Sequence, residues 1–176
     1  LIKHYKKYGY EAMIMEWNNP YNSHKANWKK NFKNYFQYAL DNSGEKIKVI
    51  WSNSIYFQKF QRYAHGELEL DEYLDFISSK LNNIESFFPI YSNDIEIFDF
   101  RPGRFKSESS LGQSSEWKRI LELFQNLKNS EWCELVLPER TLELQNKTND
   151  SGNNLYLESP EQPIPVKKQE KYNINR

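Results

Sequence analysis

The chain has 176 residues, which suits one domain, and its 24 basic and 24 acidic side chains cancel to zero net charge at pH 7. No long-range positive field exists to gather phosphates, so nucleic acid is not expected as a partner. No apolar run approaches the ~20 residues that a membrane span needs, and Cys133, the single cysteine, can form neither an intrachain disulfide nor a cysteine metal cage.

In chain order, residues 1 to 9 read as the end of a helix, with Gly9 in the left-handed position that follows one. Ala12 to Trp17 reads as a buried parallel strand because Ala12-Met13-Ile14-Met15 is continuously apolar. It runs out into Glu16-Trp17-Asn18-Asn19-Pro20, a carboxylate among amides that can bond it or sugar hydroxyls. A partner for a nearby Lys or Arg is the other reading of Glu16. Trp28, Phe32, Tyr35 and Phe36 fit one helical face, and Asp41-Asn42-Ser43-Gly44 a turn. Lys46 to Ser52 is the next strand, followed by the capping side chains Ser52-Asn53-Ser54 and a helix from about 55 to 64 that Gly66 stops. His24 reads as a surface residue and His65 as a helix-end residue. A second helix opens near Asp71, puts Tyr73, Leu74, Ile77 and Leu81 inward and ends at Asn82-Asn83.

Phe87-Phe88-Pro89-Ile90-Tyr91 reads as a buried strand, and the stretch organising the chain follows it, Ser92-Asn93-Asp94-Ile95-Glu96-Ile97-Phe98-Asp99-Phe100-Arg101-Pro102-Gly103-Arg104. In a parallel α/β sheet such a position lines the active-site face. Solvated salt bridges among Asp94, Glu96, Arg101 and Arg104 are the plainer reading. Lys106 to Ser115 reads as a loop. A helix capped by Ser114 or Ser115 then carries a stripe of Trp117, Ile120, Leu121, Phe124 and Leu127. Residues 134–138 read as a last strand ending on Glu139 and Arg140, and residues 145–162 as a mobile loop.

The run NDIEIFDFRPGRF resembles the fourth motif of glycoside hydrolase family 57, in which an Asp, here Asp94, is the general acid/base. Upstream, YGYEAMIMEWNNPY resembles the third motif, whose strand-end Glu, here Glu16, is the nucleophile. Their separation of 78 residues (94 − 16) leaves room for the βα units that the family's order requires. The resemblance implies an α/β fold, part of a (β/α) barrel with parallel strands near 12–17, 46–52, 87–92 and 134–138. Residues 1–144 would be its middle and C-terminal part, and 145–176 a mobile loop and extended segment leading to a helical region. It also implies an internal fragment, so the expected partners are a carbohydrate substrate and the remainder of the same chain before Leu1 and after Arg176. The two-carboxylate chemistry calls for no cofactor and no metal, and a cytoplasmic location is expected, the single cysteine being compatible with a reducing compartment.

Trp17, Asn18, Trp51, Asn53, Glu96, Arg101, Glu139 and Arg140 are the expected substrate contacts. Trp17 and Trp51, at strand ends, would offer flat faces to a sugar ring, although a core tryptophan fits each equally well. A retaining mechanism needs the Glu16 and Asp94 carboxyl groups about 5–5.5 Å apart, against about 6.5–9.5 Å for an inverting one. The acid needs a raised pKa, which Glu96 would favour by like charge and Arg101 and Arg104 would oppose. Two other classes stay open. A metal-dependent carbohydrate deacetylase needs a histidine pair with an Asp, and only His4, His24 and His65 exist, without helical ligand spacing. A non-catalytic carbohydrate-binding protein would use the same cleft.

Overall fold

A computed structural model describes residues 2–23, 28–81, 87–91, 95–99, 115–147 and 154–156. The protein is mixed α/β. Its elements in order are α1 (Ile2–Lys7), β1 (Ala12–Glu16), α2 (Asn18–Ser23), a 3-10 turn (Lys30–Asn34), β2 (Gln37–Leu40), β3 (Lys46–Ser52), α3 (Ser54–Ala64) and α4 (Leu70–Ser78). A second 3-10 turn (Ile95–Ile97), α5 (Glu116–Asn129), α6 (Pro138–Lys147) and β4 (Asn154–Tyr156) complete the described chain.

The strands form one sheet in the order β1-β3-β2-β4. β1 and β3 are parallel, with Met13 opposite Val49, Met15 opposite Trp51 and Glu16 opposite Ser52. β2 joins the other edge of β3 antiparallel, and β4 runs parallel to β2. The sheet is therefore mixed, where parallel strands alternating with helices were expected. The hairpin has a local cause. Asp41 accepts bonds from the Ser43 amide at 2.9 Å, the Ser43 hydroxyl at 2.6 Å and the Glu45 amide at 3.1 Å, so its side chain turns the chain straight back. Gln37 and Ala39 then alternate inward, which ends the helical periodicity read over 28–36.

Alternation sorts the sheet's faces. Val49, Trp51, Ala39, Ile47 and Leu155 point into a core that Ile2, Trp17 and Trp28 close. The other face carries Glu16, Ser52 and Ile14, the last 54% exposed. A second core lies among the helices, where Phe60 and Tyr63 of α3, Tyr73 and Ile77 of α4, and Ile120, Leu123 and Leu127 of α5 meet Phe98. Gly66 at φ 80 ends α3 as expected, because only a residue without Cβ adopts that angle cheaply. The inward face of α3 carries Tyr56, Phe60, Tyr63 and Ala64, with Ile55 out. On α5 the apolar arc is wider than its partners, so Trp117, Leu121 and Phe124 stay exposed.

Among the described residues two expected strands are not formed. Phe87–Tyr91 pairs with no described strand, and Pro89 has no N–H to give a ladder. Its rings are used for packing instead. Phe87 lies 4.9 Å from Phe36, Phe88 stacks on Tyr56 at 4.3 Å, and Tyr91 sits 4.9 Å from Phe60. Residues 134–137 are likewise unpaired, and Leu137 is 72% exposed. Pro138 begins α6, since proline is pre-set for a first helical turn. Residues 145–147, expected in a loop, continue that helix. No helix among the described residues is long and apolar enough to cross a membrane.

Candidate functional site

The carboxyl ends of β1 and β3 lie side by side, and each strand leads within two residues into a helix. The turn after β1 is held to β3 by the Trp17 N–H bonding the Ser52 carbonyl at 2.9 Å. Pro20 falls in the first turn of α2, where its missing N–H costs nothing. This arrangement brings Glu16, Asn18, Ser52, Asn53 and Ser54 to one end of the sheet.

Within that cluster most polar atoms are engaged. Asn18 Nδ2 donates to Ser54 Oγ at 2.8 Å, and the Ser52 hydroxyl donates to the Met15 carbonyl at 3.3 Å. Asn53, a buried residue, accepts the Ile55 N–H at 3.1 Å and so caps α3, as the sequence suggests. Asn53→Ala is expected to lower stability by about 1 kcal/mol, read as a fall in Tm, because the first turn of α3 loses its acceptor.

Glu16 is divided between two environments. Its Oε2 accepts the Asn19 N–H at 2.9 Å. Its Oε1 is shielded from solvent and has no hydrogen-bond partner among the described residues. No Lys or Arg among them pairs with it, so the ion-pair reading of Glu16 gains no support. A carboxylate with one oxygen fixed by backbone and the other unengaged is oriented and still has a free lone pair.

Trp17 and Trp51 are brought together, but inside the core. Each is 2% exposed, and their ring centroids are 5.1 Å apart in an edge-to-face contact. Trp51 points to the opposite sheet face from Glu16 because successive strand residues alternate. The structure therefore places both rings where they pack against protein, with no open face for a sugar. The Trp51 Nε1–H is buried without a partner among the described residues, as is Gln37 Oε1 on the same face.

The remaining expected contacts fall elsewhere. Glu139 lies in the first turn of α6, where a carboxylate suits the helix dipole. Arg140 is exposed and pairs with Glu143 at 2.6 Å. Neither ends a strand. Glu96 is the middle residue of the Ile95–Ile97 turn. Asp94, Arg101 and Arg104 lie outside the described residues, and so does His24. Among the described residues no group of three or more His, Cys, Asp or Glu side chains is arranged to hold a metal ion.

One constellation escaped the sequence reading. Asp99, Ser115, Glu116 and His65 form a bonded network at the start of α5. A Ser-Glu helix start was the only visible sign of it, since its other members are remote in the chain.

The fold and this end of the sheet define a mixed α/β protein with a polar cluster where two parallel strands finish. Comparison with protein-family models, curated proteins and solved structures finds no match to this chain.

Proposed function

We propose that the chain belongs to the catalytic domain of a retaining glycoside hydrolase or transglycosidase, with Glu16 as nucleophile and Asp94 as general acid/base. The resemblance to glycoside hydrolase family 57 motivates the roles. The observation that carries the reading is Glu16 itself, at the carboxyl end of a parallel strand, with one oxygen held by the Asn19 amide and the other unengaged. In this reading the β1–β3 pair is a piece of a (β/α) barrel wall.

The chemistry follows from two carboxyl groups. Glu16 Oε1 attacks the anomeric carbon as the glycosidic C–O bond breaks, and Asp94 gives its proton to the departing oxygen. Asp94, now a carboxylate, takes a proton from water or a sugar hydroxyl. That oxygen attacks the same carbon and releases Glu16. The backbone bond to Oε2 keeps the attacking oxygen in one orientation, which saves rotamer entropy at the reacting step. Asn18, with its amide already on Ser54, has its carbonyl available to a sugar hydroxyl.

A panel of oligosaccharides and aryl glycosides, read for reducing ends and for the anomer first released, tests this. Glu16→Gln keeps an acceptor for the Asn19 amide and should still fold, yet turnover should fall by about 10³-fold or more. Retention of anomeric configuration is expected. A Glu16→Gln protein that turns over like the parent would remove the nucleophile. Binding that survives without hydrolysis in the parent would favour a carbohydrate-binding protein.

A further inference from the structure

Three lysines from separate parts of the chain gather on one aromatic cluster, and a fourth stands near them. Tyr56 of α3 stacks on Phe88 at 4.3 Å, and Phe76 of α4 stands edge-on to both, 6.0 Å from Tyr56 and 5.9 Å from Phe88. The ammonium of Lys33, in the first 3-10 turn, lies 5.7 Å from the centre of the Tyr56 ring. Those of Lys59 in α3 and Lys80, just past α4, lie 5.6 Å and 5.3 Å from the centre of the Phe76 ring. Lys30 opens the same 3-10 turn, and its field reaches Lys33. Backbone holds the cluster as well as rings do, since the Phe87 N–H donates to the Asn34 carbonyl at 3.0 Å.

Other cations of the fold find carboxylates, as Lys6 does with Glu45 at 2.7 Å and Arg62 with Glu67 at 3.2 Å. Among the described residues Lys30, Lys33, Lys59 and Lys80 pair with none. Burial pushes the Lys33 ammonium below the usual lysine range, and the charges of Lys30 and Lys80 push the same way. The rings attract the ammonium groups through their π faces, but they carry no net charge to offset them.

We propose that Lys30, Lys33, Lys59 and Lys80 form a binding site for a small tetrahedral dianion, a phosphate or sulfate group that is free or carried on a sugar. The chemistry of the donors selects this class. An ammonium is a compact point charge with three donors, and several of them suit the spread oxygens of a tetrahedral group. A planar carboxylate is matched better by the arginine fork, which the cluster does not use. Nor does the cluster offer a stacking platform for bases. Tyr56 is buried, Phe88 stacks on it, and Phe76 already carries two ammonium groups, so a nucleic acid strand would meet charge without a free ring. The chain's net charge is zero, so the attraction is local and falls off within about 8 Å at physiological salt.

Isothermal titration calorimetry on the full chain tests this with inorganic phosphate, inorganic sulfate, glucose 6-phosphate and glucose. Ionic strength is held constant at about pH 7.5, where a phosphate monoester is mostly dianionic. Saturable binding of one equivalent of phosphate is expected, and none of glucose. Lys33→Gln/Lys80→Gln should weaken phosphate binding about tenfold or more, because two charge-assisted donors are removed. Lys3→Gln/Lys7→Gln takes the same charge from α1 and should leave the affinity within about twofold. Lys30→Gln, at an exposed position, should weaken binding about threefold and keeps the site refutable if the double variant does not fold. No saturable binding of any of the three anions overturns the site. So does equal weakening by the α1 variant, or a single-stranded oligonucleotide that binds where phosphate does not. Tighter binding of glucose 6-phosphate than of inorganic phosphate would assign the site to a phosphorylated sugar, and equal or weaker binding to the free ion. Only binding is read, so the result stands apart from the glycosidase reading.

Discussion

Trp17→Ala should destabilise the protein by about 3–5 kcal/mol, the range for removing a fully buried aromatic side chain. The ring stacks on Tyr21 at 4.8 Å and lies 5.8 Å from Trp28 and 5.1 Å from Trp51. It covers the end of the sheet core where β1 stops, so its loss opens a void beneath β1 and β3 that the stiff neighbouring rings cannot fill. Urea unfolding followed by fluorescence measures this, and Trp17→Phe should recover a large part of the loss by refilling volume. The same experiment separates a core ring from a sugar platform. A platform would lose substrate affinity while stability stayed nearly constant, so a change under about 1 kcal/mol would return Trp17 to the surface.

The second large effect concerns Arg119. Its Nε donates to the Tyr63 carbonyl at 2.8 Å and its Nη2 to the Leu68 carbonyl at 2.7 Å, while the guanidinium lies 4.7 Å from the centre of the Tyr63 ring. The Tyr63 hydroxyl closes the circuit on the Arg119 carbonyl at 2.7 Å. These carbonyls belong to the end of α3 and the turn after it, which have no strand ladder to engage them. Arg119→Ala removes the side-chain donor from the Leu68 carbonyl, leaves the Tyr63 carbonyl with the Gly66 N–H at 3.0 Å, and should cost about 1–3 kcal/mol. Arg119→Lys should recover less than half, because a single ammonium lacks the fork that reaches both. The Tyr63 phenol offers an independent readout. Burial, with the Glu122 carboxylate adding, pushes it up to about 12, and the Arg119 cation opposes that rise. Removing the cation should therefore raise it further in a spectroscopic titration. An Arg119→Ala protein that melts with the parent would show that water replaces the fork without loss.

Read alone, the sequence resolved what local patterns encode. Ala12–Met15 and Lys46–Ser52 are strands, as their apolar runs indicate, and α3, α4 and α5 lie close to their expected positions because turn formers and apolar spacing bound them. A cap within Ser52-Asn53-Ser54 is legible because capping depends on one side chain and the next two residues, and the structure assigns it to Asn53. Glu16 at a strand end is legible for the same reason.

Tertiary structure decided the rest. Phe87–Tyr91 and Glu134–Leu137 have strand-like composition, but a strand exists only where another strand offers its edge, and none does among the described residues. β2 was hidden because its aromatic flank mimics a helical face until the Asp41 turn fixes an antiparallel partner. Trp17 and Trp51 look like cleft residues by position, yet Trp51 alternates onto the core face of β3, and Trp17, in the turn after β1, packs its ring against Trp51 in the same core. The network of Asp99, Ser115, Glu116 and His65 draws on residues 51 positions apart, a spacing that carries no local periodic signal and acquires meaning only once α3 packs beside α5.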